Sequence, residues 1–300
     1  ASAPMVNSIT TPWRSHARPA PALSIIQRFT WDPTAGRGLG LTTKRDTRMA
    51  LNTVIMAAGK GTRMKSALPK VLHRLAGTSL LQHVLNTTAA LGSSRTVVIT
   101  GHSAEAVEAA VQGEASNAGI RFARQMPQLG TGHAVQQALS ALDDAAGTTL
   151  ILNGDVPLIR TETARSLVEA CGGTRLALLT IALPDPTGYG RIVRDATAAV
   201  QGIVEHKDAS EAQRAIREVN VGVYAVPTTL LKRWVQALKN DNAQGEYYLT
   251  DIVAMAVAEG VAVVTATAAS ETETLGVNSP LQLADLERRH QRAQAEALMT

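Results

Sequence analysis

The sequence lacks the features that mark disulfide-rich, zinc-binding and membrane-spanning proteins. Its one cysteine is Cys171, which excludes an internal disulfide and favours a small residue near a helix end over a catalytic thiol. No run approaches the roughly 18 consecutive apolar residues of a membrane-spanning helix. The histidines show no metal-ligand spacing, and we expect them to be structural or surface residues. We therefore expect no membrane partner and no histidine-based metal site.

The chain is basic only at its start. Lys and Arg number 29 and Asp and Glu number 25, which gives a net charge of +4. Residues 1–48 hold seven of the basic and two of the acidic residues, so the remainder has 22 basic and 23 acidic residues. A nucleic-acid-binding surface needs clustered basic residues, and the main part of the chain shows no such cluster. We expect no nucleic-acid partner.

Residues 1–48 lack the continuous apolar segment of a secretory signal, so export is not supported and a cytoplasmic protein is expected. They are rich in Pro, Ser, Thr, Arg and Gly without an apolar period, which predicts a mostly disordered leader. Their composition faintly resembles an organellar transit peptide. We favour an extended or non-native start, because Met49 and Ala50 directly precede a strong strand, as a natural start would.

From Leu51 to residue 183, short apolar strands alternate with amphipathic helices. This alternation predicts right-handed crossovers and a mainly parallel sheet, in an α/β, Rossmann-like fold with flanking helices. Such sheets bind ligands beyond the carboxyl ends of their strands, which directs attention to the loops after Ala57 and Asn153. The predicted strands are 53–57, 96–100, 120–124, 148–153 and 176–183; one predicted helix has Thr78 as its N-cap, a second spans 104–111, and a third carries an apolar stripe from Ala134 to Leu142.

After residue 183 the pattern becomes typical of a small antiparallel lobe. Residues 191–194 and 200–205 alternate as the strands of a hairpin, and 218–226 predict a further strand. Helices are predicted near 228–239 and 248–259, with a strand at 261–267 after them. Residues 280–299 have the pattern of a long polar helix. We therefore divide the chain into a leader (1–48), a main domain (49–278) and a C-terminal linker helix (279–300).

A glycine-rich turn follows the first predicted strand. In residues 56–64 (MAAGKGTRM) small side chains let backbone N–H groups approach an anion, and Gly59 and Gly61 can adopt positive φ. Arg63 and Lys70 could together neutralise a triphosphate. The turn is neither a Walker A loop nor a Gly-x-Gly-x-x-Gly fingerprint, which argues against a Rossmann oxidoreductase. Taken alone, it could also be a tight turn with solvated charges.

The longer segment 56–70 (MAAGKGTRMKSALPK) closely resembles the nucleotide-binding signature of sugar-1-phosphate nucleotidyltransferases. In detail the sequence resembles the uridylyltransferase domain of the bifunctional bacterial GlmU family, in unbroken order over essentially all of residues 49–300. Each motif alone is weak, but the ordered series is specific. The further motifs are 125–133 (QMPQLGTGH), 153–157 (NGDVP), 186–191 (PTGYGR), 202–208 (GIVEHKD), 218–220 (EVN), 242–251 (NAQGEYYLTD) and 276–278 (GVN).

This resemblance implies a nucleotide-diphospho-sugar transferase fold whose antiparallel lobe binds the sugar. It implies transfer of a uridylyl group from UTP to N-acetyl-α-D-glucosamine 1-phosphate, with release of pyrophosphate, to supply precursors of peptidoglycan and lipopolysaccharide. The main domain, 49–278, would then be the nucleotidyltransferase domain. The resembling family also has an acetyltransferase domain of hexapeptide repeats that trimerises. This chain shows no such repeats, so we expect no acetyltransferase activity and a weak or absent trimer.

The resemblance also implies the site. Mg²⁺ would be the cofactor, with Asp155 and Asn278 as its ligands, a set that suits a hard cation. Arg63, Lys70 and Asp155 would be catalytic. By itself, Asp155 could equally be a cap or turn residue before Pro157. Substrate contacts are implied for Met56, Ala57, Ala58, Gly59, Lys70, Gln125, Gly130, Thr131, Asn153, Gly154, Asp155, Gly190, Glu205, Asn220, Tyr248, Thr250 and Asn278.

The implied contacts have suitable chemistry. The Gln125 amide carries both a donor and an acceptor, as reading a uracil edge requires. Gly130 and Thr131 open a helix whose first N–H groups are free. The carboxylate of Glu205 and the amide of Asn220 suit sugar hydroxyls and an acetamido group. Without the resemblance, Gln125 would be interpreted as an exposed amide and Gly130 and Thr131 as a helix cap. Glu205 would be interpreted as part of a solvated hairpin end.

Two other functions remain open on the sequence. A related nucleotidyltransferase could use another sugar phosphate or another base, since one or two pocket residues can switch the choice. A non-catalytic nucleotide-binding module could keep the fold, although the joint presence of Arg63, Lys70, Asp155 and Asn278 weighs against it. Asn153 departs from many members of the resembling family, which have an aromatic residue there, and this removes the basis for a stacking contact.

Overall fold

The computed structural model describes residues 50–143 and 147–299, which belong to one structural unit. The predicted leader, 1–48, lies outside the described residues. The strands are β1 (Ala50–Met56), β2 (Arg74–Leu75), β3 (Thr78–Ser79), β4 (Arg95–Thr100), β5 (Arg121–Arg124), β6 (Gly147–Asn153), β7 (Leu176–Ala182), β8 (Arg191–Arg194), β9 (Val200–Val204), β10 (Glu218–Pro227) and β11 (Val263–Thr267). The helices are α1 (Leu80–Leu91), α2 (Ala104–Gln112), α3 (Thr131–Ala138), α4 (Thr161–Cys171), α5 (Glu211–Arg214), α6 (Thr228–Ala237), α7 (Asp251–Ala258) and α8 (Pro280–Met299).

The central sheet has the order β11-β7-β10-β6-β1-β4-β5. β1 runs parallel to β4 and β6, β4 runs parallel to β5, and β11 runs parallel to β7. β10 lies antiparallel between β6 and β7, and it also pairs with β8, which forms a hairpin with β9. The prediction of a Rossmann-like, mainly parallel sheet with an antiparallel addition is therefore confirmed.

Strand register brings the functional loops to one edge of this sheet. Met56, the last residue of β1, is level with Ile99 of β4 on one side and with Asn153 of β6 on the other. Thr100 at the end of β4 is level with Arg124 at the end of β5. Because parallel strands share a direction, the loops after all four strands emerge together.

Helices cover both faces of the sheet. Successive side chains of a strand point to opposite faces, so the fully buried Val54 and Ile55 of β1 belong to two separate cores. Burial of each such side chain stabilises the fold by about 1.5–3 kcal/mol. The Val54 core includes Val135, Trp234 and Ile252 from α3, α6 and α7; the Ile55 core includes Val84, Val107 and Leu167 from α1, α2 and α4.

The structure corrects several details of the predicted helices. The N-cap of α1 is Ser79, whose hydroxyl accepts from the Gln82 N–H, and the predicted cap Thr78 lies in β3. α3 ends at Ala138, so Leu142 is buried beyond the helix. α4 was not predicted, although the buried Cys171 at its last position is the small helix-end residue that we expected.

The predicted tail helix is present as α8. In its first half Leu286 packs with Leu75, Leu80 and Val277, and Glu287 accepts a 2.8 Å hydrogen bond from the Ala76 N–H. Across residues 50–143 and 147–299, no helix has the length and hydropathy needed to cross a membrane.

Candidate active site

A cavity of about 710 Å³ opens at the carboxyl ends of β1, β5 and β6. Its position follows from the strand register, because the loops after these strands surround the same space. The structure brings most of the predicted site residues to this cavity. Its lining includes Met56, Ala57, Ala58, Gly59, Arg63, Lys70, Gln125, Gly130, Thr131, Asn153, Asp155 and Asn278.

The glycine-rich turn is held by backbone contacts that exclude larger side chains. Gly61 has φ +60°, and a Cβ placed there would lie 2.7 Å from the Cβ of Lys70. The Ala57 N–H donates to Ile99 O at 2.9 Å, and the Gly154 N–H donates to Met56 O at 2.9 Å. Gly154 thus supports the turn through its backbone and is not among the residues that line the cavity, so its predicted contact with substrate stays a prediction.

Lys70 lies between the two predicted metal ligands. Its ammonium donates to Asp155 Oδ2 at 2.5 Å and to Asn278 Oδ1 at 3.0 Å. The two ligand loops are joined directly, because the Val277 N–H donates to Asp155 O at 2.9 Å. The side chains of Lys70 and Asp155 are 13% and 20% exposed, so the ion pair is shielded from solvent and yet reachable from the cavity.

The donor set at this point fits a hard divalent cation. A carboxylate oxygen and an amide oxygen already converge on one positive charge, the Lys70 ammonium. Mg²⁺ prefers oxygen ligands and usually keeps several waters and substrate phosphates, so two protein oxygens are sufficient. Within the described part of the chain, no group of three or more His, Cys, Asp and Glu side chains forms an alternative metal site.

Arg63 is one of two exposed cations that line the cavity, the other being Lys60. Arg63 lies in the 3-10 turn Thr62–Met64 and lines the cavity without a hydrogen bond or ion pair among residues 50–143 and 147–299. An unpaired guanidinium at the mouth of a cavity can donate two parallel hydrogen bonds to two oxygens of one phosphate group. The Arg63 guanidinium therefore has no partner among the described residues, whereas the Lys70 ammonium is paired with Asp155.

The opposite wall of the cavity is built by the loop before α3. Gln125 is buried, and its backbone N–H donates to Thr100 O at 2.7 Å. Gly130 has φ +104° and is the N-cap of α3. Of the first N–H groups of α3, which the sequence analysis expected to be free, that of Gly132 donates to Tyr247 O at 2.7 Å. The Thr131 hydroxyl accepts from the Leu249 N–H at 3.0 Å, which ties this wall to the antiparallel lobe.

The five predicted sugar-contact residues lie together, but not in the lining of the main cavity. Thr250 donates to Glu205 Oε1 at 3.1 Å, and the Asn220 N–H donates to Gly190 O at 2.9 Å. A Cβ on Gly190 would lie 3.5 Å from both Glu205 oxygens. Tyr248 is near the same group and donates to Asp208 Oδ2 at 3.2 Å. The structure therefore groups Gly190, Glu205, Asn220, Tyr248 and Thr250 as a second polar cluster.

A short bridge connects this cluster to the cavity. Asn153 lines the cavity and donates through Nδ2 to Gly222 O at 3.1 Å. The Gly222 N–H in turn donates to Asn220 Oδ1 at 3.0 Å. Asn153 is thus positioned by the β10 bulge at Gly222 (φ +82°), where a Cβ would lie 2.7 Å from its Nδ2.

Burial raises the pKa of Glu205. Desolvation raises the pKa of this carboxyl above its usual value, against the hydrogen bond from Thr250, which lowers it; Asp208, Asp251 and Glu246 raise it further. The pKa of the buried Tyr224 hydroxyl is also raised, first by burial and then by Glu205. The second cluster therefore lies in an environment with several carboxyl groups, which favours the protonated form of Glu205 relative to an exposed glutamate.

Sequence reasoning missed several cavity residues. Glu246, Pro127 and Gln128 line the cavity, and the Gln128 side chain donates to Ala58 O. Gln128 lies inside the recognised motif 125–133 and Glu246 inside 242–251, so the motifs were the available signal. Which members of a motif face the cavity depends on backbone turns that spacing does not reveal.

The fold and the site define a nucleotidyltransferase-type protein: a Rossmann-like sheet with a glycine-rich turn, cations and a two-oxygen cation site at one edge. The sequence profile of the MobA-like NTP transferase domain matches residues 53–219. The chain belongs to this family.

Individual relatives agree with that assignment. The chain is similar to the bifunctional protein GlmU of Methylibium petroleiphilum, at 70% identity over 252 residues, and to that of Paracidovorax citrulli, at 63% over 250 residues. These matches cover 83% of this chain and 55% and 52% of the relatives, so the chain spans about half the length of the proteins it matches. The resemblance inferred from the motifs is confirmed.

A solved structure supports the fold alone. A nucleotidyl transferase from Methanothermobacter thermautotroptrophicus superposes with a TM-score of 0.55 at 19% identity. The superposition covers 82% of this chain and 99% of the other. At this identity the likeness concerns the backbone and not the substrate.

Proposed function

We propose that this chain catalyses the transfer of a uridylyl group from UTP to N-acetyl-α-D-glucosamine 1-phosphate, forming UDP-N-acetylglucosamine and pyrophosphate. The observation that carries the proposal is the convergence of Asp155 and Asn278 on one cation site in a cavity that Arg63 also lines. The 70% identity to a bifunctional GlmU protein supports the choice of substrates.

The reaction is an in-line displacement at phosphorus. A phosphate oxygen of the sugar phosphate forms a bond to the α-phosphorus of UTP, while the bond from that phosphorus to the bridging oxygen breaks and pyrophosphate leaves. A phosphate monoester has its second pKa near about 6, so the attacking oxygen is already anionic at neutral pH. The protein therefore needs no general base, and its task is to position two anions and to offset their charge.

Different groups of residues would carry out different parts of this task, according to where they lie around the cavity. The backbone of the glycine-rich turn and the guanidinium of Arg63 would hold the triphosphate, since both face the cavity from the end of β1. Asp155 and Asn278 would hold Mg²⁺, which supplies charge neutralisation at phosphate oxygens when it is bound. Gln125 with the N–H groups at Gly130 and Thr131 would bind the base, and the cluster around Glu205 would bind the sugar.

The direct test is a pyrophosphate-release assay with the purified chain, Mg²⁺ and a panel of substrates. Four nucleoside triphosphates are combined with N-acetylglucosamine, glucosamine, glucose and mannose 1-phosphates. We expect release with UTP and N-acetylglucosamine 1-phosphate to exceed every other pair. A preference for another sugar phosphate or base would establish a sister nucleotidyltransferase, and release with none of the pairs would favour a non-catalytic nucleotide-binding module.

Three further expectations belong to this proposal. UTP and the sugar phosphate are the expected partners. The cytoplasm is the expected location, because UTP is an intracellular metabolite. The division into 49–278 as the nucleotidyltransferase domain and 279–300 as a linker helix stays a prediction.

A further inference from the structure

The segment that carries Asn278 is held from two sides. On one side, the Val277 N–H donates to Asp155 O at 2.9 Å. On the other side, the Asn278 N–H donates to Gln282 Oε1 at 2.8 Å. A backbone N–H can only donate, so the atom of the Gln282 amide that faces it must be the oxygen. Gln282 belongs to α8, and the proposed metal ligand is therefore joined to the first turn of this helix.

The start of α8 holds Gln282 in turn. Ser279 Oγ accepts from the Gln282 N–H at 3.3 Å, and Ser279 O accepts from the Leu283 N–H at 3.0 Å. Ser279 thus acts as an N-cap, with Pro280 at the first helical position, where proline is favoured. A glutamine at the third helical position commonly reaches back to the N–H of the cap. Here the glutamine reaches one residue further, so the turn that begins α8 also places Asn278.

α8 also contributes to a third, smaller core. Leu286 is 1% exposed and belongs to the same cluster of buried side chains as Met64 and Val277. Met64 follows Arg63 in the glycine-rich turn, and Val277 precedes Asn278. This core therefore contains the chain neighbour of a cavity cation and the chain neighbour of a proposed metal ligand.

We propose that the first two turns of α8 are a positioning element of the metal site, in which Gln282 holds the Asn278 backbone and Leu286 holds the core beside it. The inference rests on the proposed function for the role of Asn278 as a ligand. It goes beyond that function, because residues 279–300 were expected only to form a linker helix. Gln282 and Leu286 are not among the residues that line the cavity, so both act through Asn278.

The physical reason is the geometry that a divalent cation requires. Mg²⁺ demands near-ideal positions of its oxygen ligands, and contacts behind the ligands fix those positions before the ion arrives. Asn278 offers a neutral amide oxygen, so its contribution depends strongly on correct placement. When either contact with α8 is lost, Asn278 must be ordered as the ion binds, and the affinity falls by the cost of that ordering.

The experiment measures the Mn²⁺ affinity of the nucleotide-free chain by electron paramagnetic resonance, and its stability by urea unfolding. Gln282→Met keeps the length of the side chain and removes the acceptor. Gln294→Met is the matched control, because the Gln294 side chain is exposed on the same helix and makes no hydrogen bond among residues 50–143 and 147–299. Leu286→Ala opens the third core. Its control is Leu167→Ala, because Leu167 is equally buried in the core around Ile55.

We expect Gln282→Met to weaken Mn²⁺ binding about three- to tenfold with little change in stability, since one exposed hydrogen bond is lost. Leu286→Ala should weaken it at least as much, and Leu286→Met, which conserves the volume, should bind nearly as tightly as wild type. Both controls should keep the wild-type affinity, although Leu167→Ala loses stability as Leu286→Ala does.

Unchanged Mn²⁺ affinity in Gln282→Met, or in a folded Leu286→Ala protein, would overturn the proposal. An equal loss of affinity in Leu167→Ala would overturn it as well, because the affinity would then follow overall stability and not the placement of Asn278.

No nucleotide or sugar enters these measurements, so the inference and the proposed function can fail separately. A chain that binds Mn²⁺ and releases no pyrophosphate with any substrate pair would refute the proposed function, and the affinities would still test Gln282 and Leu286. A wild-type chain that binds no Mn²⁺ would refute the metal site and this inference together.

Discussion

Lys70 Nζ and Asp155 Oδ2 lie 2.5 Å apart although 85 residues separate them in sequence. The pair joins the glycine-rich turn after β1 to the loop after β6. The same ammonium contacts Asn278, so one cation occupies both oxygens that we assign to Mg²⁺. A divalent ion bound to these two oxygens would therefore compete with Lys70 in the nucleotide-free protein.

This competition predicts the effect of Lys70→Met on metal binding. Removal of the ammonium frees Asp155 and Asn278, so we expect the nucleotide-free variant to bind Mn²⁺ about three- to tenfold more tightly, in line with a partly shielded ion pair. Mn²⁺ titration followed by electron paramagnetic resonance measures the affinity. Lys60→Met is the control, because Lys60 lines the same cavity without an ion pair among the described residues. Equal or weaker Mn²⁺ binding by Lys70→Met would contradict the competition.

Asp155→Ala should abolish Mg²⁺-dependent turnover and leave the fold intact. The variant loses the charged oxygen of the cation site, and metal-assisted charge neutralisation contributes several kcal/mol in such reactions, so we expect a loss of more than about 100-fold. Pyrophosphate release measures the activity and circular dichroism the fold. Asp285→Ala on the exposed side of α8 should retain activity. Undiminished release by Asp155→Ala would refute the assignment of the metal site.

Gly130→Ala should destabilise the cavity wall and raise the KM for UTP. Gly130 has φ +104°, and an added Cβ would lie 2.7 Å from Tyr247 O. Gly119→Ala is the matched control, since Gly119 has φ +89° with no atom within 4 Å of an added Cβ. We expect Gly130→Ala to cost about 1–3 kcal/mol more than Gly119→Ala, because it adds overlap to backbone strain. Urea unfolding measures the free energies of unfolding. Equal losses of stability in the two variants would show that the cavity wall moves to accommodate the added Cβ, and would contradict the prediction.

Glu205→Gln should stabilise the protein in a pH-dependent way. The pKa of Glu205 is raised in the folded state, chiefly by burial, so the folded protein binds this proton more tightly than the unfolded chain does. Its stabilising effect is complete below the ordinary value of 4.5 and is lost as pH rises through the raised pKa. The glutamine side chain does not ionise, so the variant does not lose stability in this way as the pH rises. We therefore expect it to match wild type near pH 4 and to exceed it at pH 7, as thermal unfolding across this range would show. A constant difference at all pH values would contradict the raised pKa.

Local sequence patterns predicted many of the strands and helices, because the burial of one segment determines where its apolar residues occur. The apolar β1 and β6 were predicted within three residues of their bounds, since buried parallel strands need continuous apolar runs. The helix α4 was missed, and its first turn is held by a carboxylate that is distant in sequence: Glu273 accepts from Thr163 Oγ1 at 2.8 Å. Its start thus depends on a residue 110 positions away, which no local pattern contains.

The sequence by itself determined the family, the alternation of strands and helices, and many of the residues that line the cavity, because ordered motifs and apolar periods are properties of the chain. Only the tertiary structure decided that Lys70 pairs with Asp155 and Asn278, that the Gln125 amide donates to Gly130 O, and that the Glu205 cluster stands apart from the main cavity lining. These relationships arise where strand ends converge, and the distances between side chains there are set by sheet register and loop contacts rather than by spacing along the chain.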